Sequence, residues 1–210
     1  MSKPRLDYTL YLVTDRGLMS TPTLEEAVEE ACEGGVTLVQ VREKHVTRDE
    51  YTRIASGVKR VTDAHGVGLI VDDDPYVAAA VGADGVHVGQ SDMALPQVRE
   101  IVGKDAVVGV SASTLGEALA AEAGGADYLG VGAMTYTPTK PDAHVTTMEE
   151  LARILDAVSI PCVVIGGVNV DSVPRYKGFE KLAGYAVVSA IVAADDVEAA
   201  SRELRHVIGR

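Results

Sequence analysis

Short, almost uninterrupted apolar runs punctuate the chain. Each is followed by a longer stretch in which apolar residues return every third or fourth position. The short runs are "YTLYLVT" (8–14), "VTLVQVR" (36–42), "GLIVD" (68–72), "GVHVG" (85–89), "AVVGVS" (106–111), "YLGVGA" (128–133), "PCVVIGG" (161–167) and "YAVVSAI" (185–191). Runs of this length and composition suit strands covered on both faces. Amphipathic segments lie between them. In "TLEEAVEEACEGG" (23–35), Leu24, Ala27, Val28 and Ala31 form one stripe, with acidic residues early and glycines at the end. That pattern carries a helix start and a helix stop. Helices are likewise expected over 48–66, 95–103, 114–126, 147–158 and 195–209, with shorter patterns at 75–83 and 171–179.

Strands alternating with helices build a parallel sheet. Eight such units in 210 residues fit a closed (β/α)8 TIM barrel, an α/β fold, as one domain spanning 1–210. An open doubly wound sheet is the alternative, but no G-x-G-x-x-G follows the first strand. Trp is absent and Phe occurs once, so Ala, Val and Leu must fill the interior.

The net charge of −12 excludes a broad basic field, and with it a nucleic-acid or membrane-surface partner. A small anionic substrate needs only a few well-placed cations and stays open. Cys32 and Cys162 are far apart in apolar segments, and read as buried thiols of a reducing compartment. With no leader-like stretch and no membrane-length apolar run, the expectation is a cytoplasmic protein. A homo-oligomer is compatible with the sequence, which does not fix the oligomeric state.

A barrel of this kind does its chemistry at the C-terminal ends of its strands. The unusual polar residues fall there: Arg42–Glu43–Lys44 after the second strand, Asp72–Asp73–Asp74 after the third, Gln90–Ser91–Asp92 after the fourth and Ser111 after the fifth. Asp73 and Asp92 suit a Mg²⁺ ion, which takes one or two carboxylates plus substrate phosphates. Helix capping is the competing role: Asp74 before Pro75 reads as a cap, and Asp92 is placed to cap a helix from Leu95. Arg42 and Lys44, cations in an acidic chain, suit a phosphate or pyrophosphate, or else pair with nearby carboxylates. "TYTPTKP" (135–141) is a proline-stiffened loop of hydroxyls with Lys140, suited to an anion; a Schiff-base role for Lys140 fits its polar setting less well. "IGGVN" (165–169) and "VVSAI" (187–191) end the last two strands, where barrels commonly hold phosphate on backbone N–H groups. Gly167 there permits close approach, although Gly-Gly also makes ordinary tight turns. His87 points into or out of the barrel by alternation and is given no role, as are His45, His65, His144 and His206.

Together, "YLVTD" (11–15), "GVTLVQVREK" (35–44), "VGADGVHVGQSD" (81–92), "VGVSAST" (108–114), "GADYLGVGA" (125–133), "TPTKPDA" (137–143), "IPCVVIGGV" (160–168) and "VVSAI" (187–191) resemble the thiamine-phosphate synthase family over nearly the whole chain. The resemblance implies a barrel that joins 4-amino-5-hydroxymethyl-2-methylpyrimidine diphosphate to a thiazole phosphate, with one Mg²⁺, releasing pyrophosphate. It places Gln40, Val41, Arg42, Glu43 and Lys44 at the pyrimidine diphosphate, with Asp72, Ser111 and Lys140. Arg42, Lys44, Ser111 and Lys140 would carry the catalysis. It gives Asp73 and Asp92 to Mg²⁺, and Thr137, Pro138, Thr139, Gly167, Val188 and Ser189 to the thiazole phosphate.

Four stretches depart from the family pattern. Asp72–Asp73–Asp74 stands where the family usually reads Asn-Asp-Arg, so a carboxylate replaces an amide that binds diphosphate. Ser113 replaces a frequent His, Thr135–Tyr136 replaces an aromatic and a proline, and "EKLAGYA" (180–186) replaces Gly-Ala-Asp-Gly. Two other functions compete. A related thiazole tautomerase would need a general acid/base His where Ser113 stands. A non-catalytic ligand-binding barrel would follow if Asp72 abolished diphosphate binding.

Overall fold

A computed structural model describes residues 3–136 and 145–209. Eight parallel strands close into a barrel in sequence order: β1 (Leu10–Val13), β2 (Leu38–Val41), β3 (Gly68–Asp72), β4 (Gly85–Val88), β5 (Val107–Ala112), β6 (Tyr128–Val131), β7 (Cys162–Ile165) and β8 (Leu182–Val187). The connecting helices are α1 (Leu24–Glu33), α2 (Arg48–His65), α3 (Pro75–Val81), α4 (Leu95–Val102), α5 (Leu115–Ala123) and α6 (Met148–Ala157). A 3-10 turn at Val173–Tyr176 stands between β7 and β8, and α7 (Ser189–Val192) and α8 (Val197–Ile208) follow β8. Among the described residues no helix is long and apolar enough to cross a membrane.

Local chemistry explains the helix starts. Thr23 and Glu26 form a reciprocal capping box on α1, and Asp74 caps α3 by accepting from Tyr76 and Val77 N–H with Pro75 in the first turn. The expected cap at Asp92 is not formed. The residue before α4 is Ala94, with no side-chain cap, and Asp92 Oδ2 instead accepts the Gly89 N–H at 2.7 Å. The eighth strand also differs from the pattern. It begins at Leu182 and stops at Val187, and the apolar "SAIV" turns into α7. A four-residue apolar run does not separate strand from buried helix by periodicity. Ser189 therefore opens a helix rather than ending a strand. Of the two thiols, Cys162 is buried but Cys32 only half-buried; both are free, and burial pushes each up to about 12.

Alternation along the strands sorts the core into two layers. Leu10, Leu12, Val39, Val41, Leu69 and Val71 face the helices. Tyr11, Val13, Leu38, Ile70, Val107, Tyr128, Val163 and Ala186 fill the barrel interior. The interior alternates large against small. Gly109 lies beside His87 on β4 and Tyr128 on β6, and a Cβ there would sit 2.2 Å from Tyr128 Cζ. This filled interior is the floor on which the upper residues stand.

Candidate active site

The mouth above that floor holds a cleft of about 340 Å³. Gln40 and Arg42 reach it from β2, with Lys44 beyond. Asp72 and Asp73 come from the end of β3, and His87 with Asp92 from β4. Ser111 of β5, Gly166 and Gly167 after β7, and Val188 and Ser189 after β8 complete the ring.

The charges are concentrated after β2, β3 and β4. Arg42 Nη1 lies 3.5 Å from Asp15 Oδ2, and its Nε 3.7 Å from Asp72 Oδ2. Lys44 Nζ is 3.6 Å from Asp72 Oδ2 and pairs with the Asp73 carboxylate. Burial opposes the Lys44 charge, but the Asp73 contact and the two carboxylate charges outweigh it and hold the ammonium above its usual range. Asp72 is 7 % exposed. Burial, then repulsion from Asp73, raises its carboxyl to about 7 despite Lys44 and Arg42. Burial also raises Asp92 against the Gly89 N–H that it accepts, and repulsion from Asp73 adds to the rise.

Asp73 has φ 62°, a left-handed conformation that Asp tolerates better than most residues. Its backbone N–H donates to the His87 carbonyl at 2.8 Å, which fixes the turn over β4. Asp73 and Asp92 both line the cleft and repel one another, a pair of hard carboxylates whose charge a divalent cation held partly by phosphate oxygens would neutralise. Among the described residues no cluster of three His, Cys, Asp or Glu forms a metal cage.

The opposite character prevails after β7. Gly166 and Gly167 have φ 95° and 73°. A Cβ on Gly167 would lie 2.1 Å from Thr135 Oγ1, so this wall is shaped by backbone.

Comparisons with known proteins decide the family. The model of the family described as thiamine monophosphate synthase matches residues 10–191. This chain belongs to that family. The thiamine-phosphate synthase of Clostridium beijerinckii is 53% identical over 204 residues, 97% of each chain. That of Ruminiclostridium cellulolyticum is 49% identical over 98% of this chain and 97% of its own. The solved thiamine phosphate pyrophosphorylase of Pyrococcus furiosus superposes with a TM-score of 0.88 at 40% identity, covering 96% of both chains. A 3-hexulose-6-phosphate synthase at 20% identity and TM-score 0.68 shares the barrel alone. Identity of about half over nearly full length carries the enzyme activity of the thiamine monophosphate synthase family, a transferase step of thiamine biosynthesis.

Against the site implied by the family resemblance, the structure sorts the residues. It brings Gln40, Arg42, Lys44, Asp72, Asp73, Asp92, Ser111, Gly167, Val188 and Ser189 to one cleft. Two lie elsewhere. Val41 faces outward into the helix-side core. Glu43 turns away to Arg16, at 2.8 Å and 3.0 Å, and lines a neighbouring recess with Asp15 and His45, which Arg42 and Lys44 also border. The cause is strand alternation: Gln40 and Arg42 point inward, so Val41 and Glu43 do not. Thr137, Pro138, Thr139 and Lys140 lie outside the described residues. Ser113 is spent on Glu117, which accepts from its N–H at 2.6 Å and its hydroxyl at 2.9 Å.

Sequence reasoning missed Tyr11 and His87, both of which line the cleft. The signal was present. On β4, His87 is two residues from Gly85, whose neighbours Ile70 and Val107 are interior, so the alternation points it inward.

Proposed function

We propose that the cleft transfers the pyrimidinylmethyl group of 4-amino-5-hydroxymethyl-2-methylpyrimidine diphosphate to the ring nitrogen of a thiazole phosphate. The carbon–oxygen bond to the diphosphate breaks and its electron pair leaves on that oxygen. The thiazole nitrogen lone pair forms the new carbon–nitrogen bond, giving thiamine phosphate and pyrophosphate. The observation that carries this reading is the convergence of Arg42 and Lys44 with the Asp73–Asp92 pair at one mouth of a chain with net charge −12.

Arg42 and Lys44 would hold the diphosphate and stabilise charge building on its oxygens as it leaves. Ser111 would donate to a diphosphate oxygen, with Lys140 beside it. Asp73 and Asp92 would hold a single Mg²⁺, which would neutralise further phosphate charge. Gly167, Val188 and Ser189, with Thr137, Pro138 and Thr139, would seat the thiazole phosphate. The electron-rich aminopyrimidine carries the positive charge while the leaving group departs, so no protein nucleophile is required. The protein's task is to hold both substrates in line and keep water from the cationic centre.

The test is synthesis of thiamine phosphate from the two purified substrates with Mg²⁺. Product formation that stops with EDTA and returns with Mg²⁺ is expected. No product at saturating Mg²⁺, with thiazole phosphate still bound, would leave a ligand-binding barrel instead. The tautomerase reading is weakened by Ser113, whose hydroxyl is bound to Glu117 and which does not line the cleft.

A further inference from the structure

Along the floor of the cleft, five side chains from five strands form one hydrogen-bonded chain. Gln40 Nε2 donates to Tyr11 Oη at 2.8 Å. Tyr11 Oη lies 2.8 Å from Tyr128 Oη, which lies 2.9 Å from His87 Nδ1. His87 Nε2 lies 3.0 Å from Ser111 Oγ. Tyr11 and Tyr128 are 1% and 0% exposed, and burial drives both hydroxyls to high pKa, so they stay protonated. Gly109 and Gly130 make the room: a Cβ on either would press on the rings, at 2.5 Å from His87 Nδ1 and 3.1 Å from His87 Cε1.

Each hydroxyl carries one hydrogen, so the chain runs one way at a time. A diphosphate oxygen beside Ser111 only accepts, so Ser111 must donate outward. Ser111 Oγ then accepts from His87 Nε2–H, which leaves Nδ1 as an acceptor. Tyr128 donates to Nδ1, Tyr11 donates to Tyr128, and the Gln40 amide N–H donates to Tyr11. Gln40 Oε1 is then the atom offered to the cleft. Running backwards, the same chain would offer the Gln40 amide N–H and deny the diphosphate its Ser111 donor.

We propose that Tyr11 and Tyr128 are positioning residues. They form a polarised relay through His87 that ties the Ser111 donor at the diphosphate end to a Gln40 acceptor at the pyrimidine end. A ring bearing an amino donor is thereby preferred over one bearing an acceptor at that place. Neutral relays of this kind gain strength by mutual polarisation. The assignment rests on the proposed reading of the cleft as a diphosphate site.

The experiment combines a spectroscopic and a kinetic arm. Histidine-labelled ¹⁵N NMR of the wild type with magnesium pyrophosphate should show His87 as the Nε2–H tautomer with Nδ1 shifted by a hydrogen-bond donor, and Tyr128→Phe should remove that Nδ1 shift and weaken the preference. Tyr128→Phe and Tyr11→Phe should each lower kcat/KM for the pyrimidine diphosphate about tenfold, with Tm moved by less than about 5 °C. In a Ser111→Ala background the same changes should cost less than about twofold, because the relay has lost its end. An Nδ1–H tautomer in the wild type overturns the relay. So do losses that simply add in the double variants, or variants within twofold of wild type; two variants guard against one that fails to fold. A fixed Nε2–H tautomer in a wild type that makes no product keeps the relay and overturns the reading of the reaction.

Discussion

The two sides of the barrel mouth are built by different means. After β2, β3 and β4 the cleft is walled by long charged side chains, already engaged with one another: Arg42 with Asp15 and Asp72, and Lys44 with Asp72 and Asp73. After β7 and β8 it is walled by Gly166, Gly167, Val188 and Ser189, and the shape is held by positive φ at the two glycines. A substrate entering the first side must exchange protein ion pairs for its own. A substrate entering the second meets backbone and short side chains with no ion pair to displace among the described residues. The first side can be tuned by one side chain at a time, whereas the second can be changed only by forcing the backbone.

The sharpest break of this contrast is Arg42→Ala. If Arg42 holds the leaving diphosphate as proposed, its loss should lower kcat/KM by about 10²–10³. Its partners are Asp15 at 3.5 Å and the buried Asp72 at 3.7 Å, and Lys44 remains to face the Asp72 carboxyl when Arg42 is removed, so Tm should stay within a few degrees. Steady-state kinetics beside thermal denaturation reads both; equal losses in each would make Arg42 structural. Gly167→Val should act the other way. A side chain at φ 73°, colliding with Thr135, should cost about 1–2 kcal/mol of stability and raise KM for the thiazole phosphate about tenfold. KM for the pyrimidine diphosphate should stay within about twofold. A parallel rise in both KM values would erase the distinction between the two sides.

The barrel was legible because its signal is repeated. Strands such as "GLIVD" (68–72) are short apolar runs between amphipathic stretches, and the observed β3 keeps those bounds. The errors fell where that signal is ambiguous. "VVSAI" is apolar whether it is strand or helix, and the chain turns at Val188 because β8 has by then reached the rim. The caps split for a similar reason. Asp74 has Pro75 beside it to start α3, whereas Asp92 is separated from α4 by two residues and folds back on Gly89. At the site, the five residues from Gln40 to Lys44, at and beyond the end of β2, read as one binding strip. Alternation divides it, sending Gln40, Arg42 and Lys44 to the cleft, Val41 to the helix side and Glu43 to the recess that Arg42 and Lys44 also border. The orientation of Asp72 depends on the third dimension, since only the closed barrel sets its carboxylate against both cations.

Asp72→Asn is a smaller step on the charged side. On the proposed reaction its carboxylate competes with the diphosphate for Arg42 and Lys44, and an amide of the same shape would loosen both, leaving Arg42 with Asp15 and Lys44 with Asp73. KM for the pyrimidine diphosphate should fall about threefold, with kcat nearly unchanged. A rise in KM would mean that Asp72 holds the two cations in place rather than restraining them.

The smallest effect is expected at Glu43, the charged residue that this side of the mouth excludes. Its Oε2 is bound to Arg16, while its Oε1 is buried with no hydrogen-bond partner among the described residues. Burial raises its carboxyl, and Arg16 only partly offsets that. Glu43→Gln keeps the shape and removes a charge that is poorly satisfied where it stands. Because Arg16 is itself well exposed, the lost ion pair should cost no more than about 1 kcal/mol. Because the side chain faces the recess rather than the cleft, kcat/KM should stay within about twofold. A tenfold loss at unchanged Tm would move the boundary. The recess beside Arg16 would then be part of the diphosphate site, and the charged side of the mouth would extend behind β2.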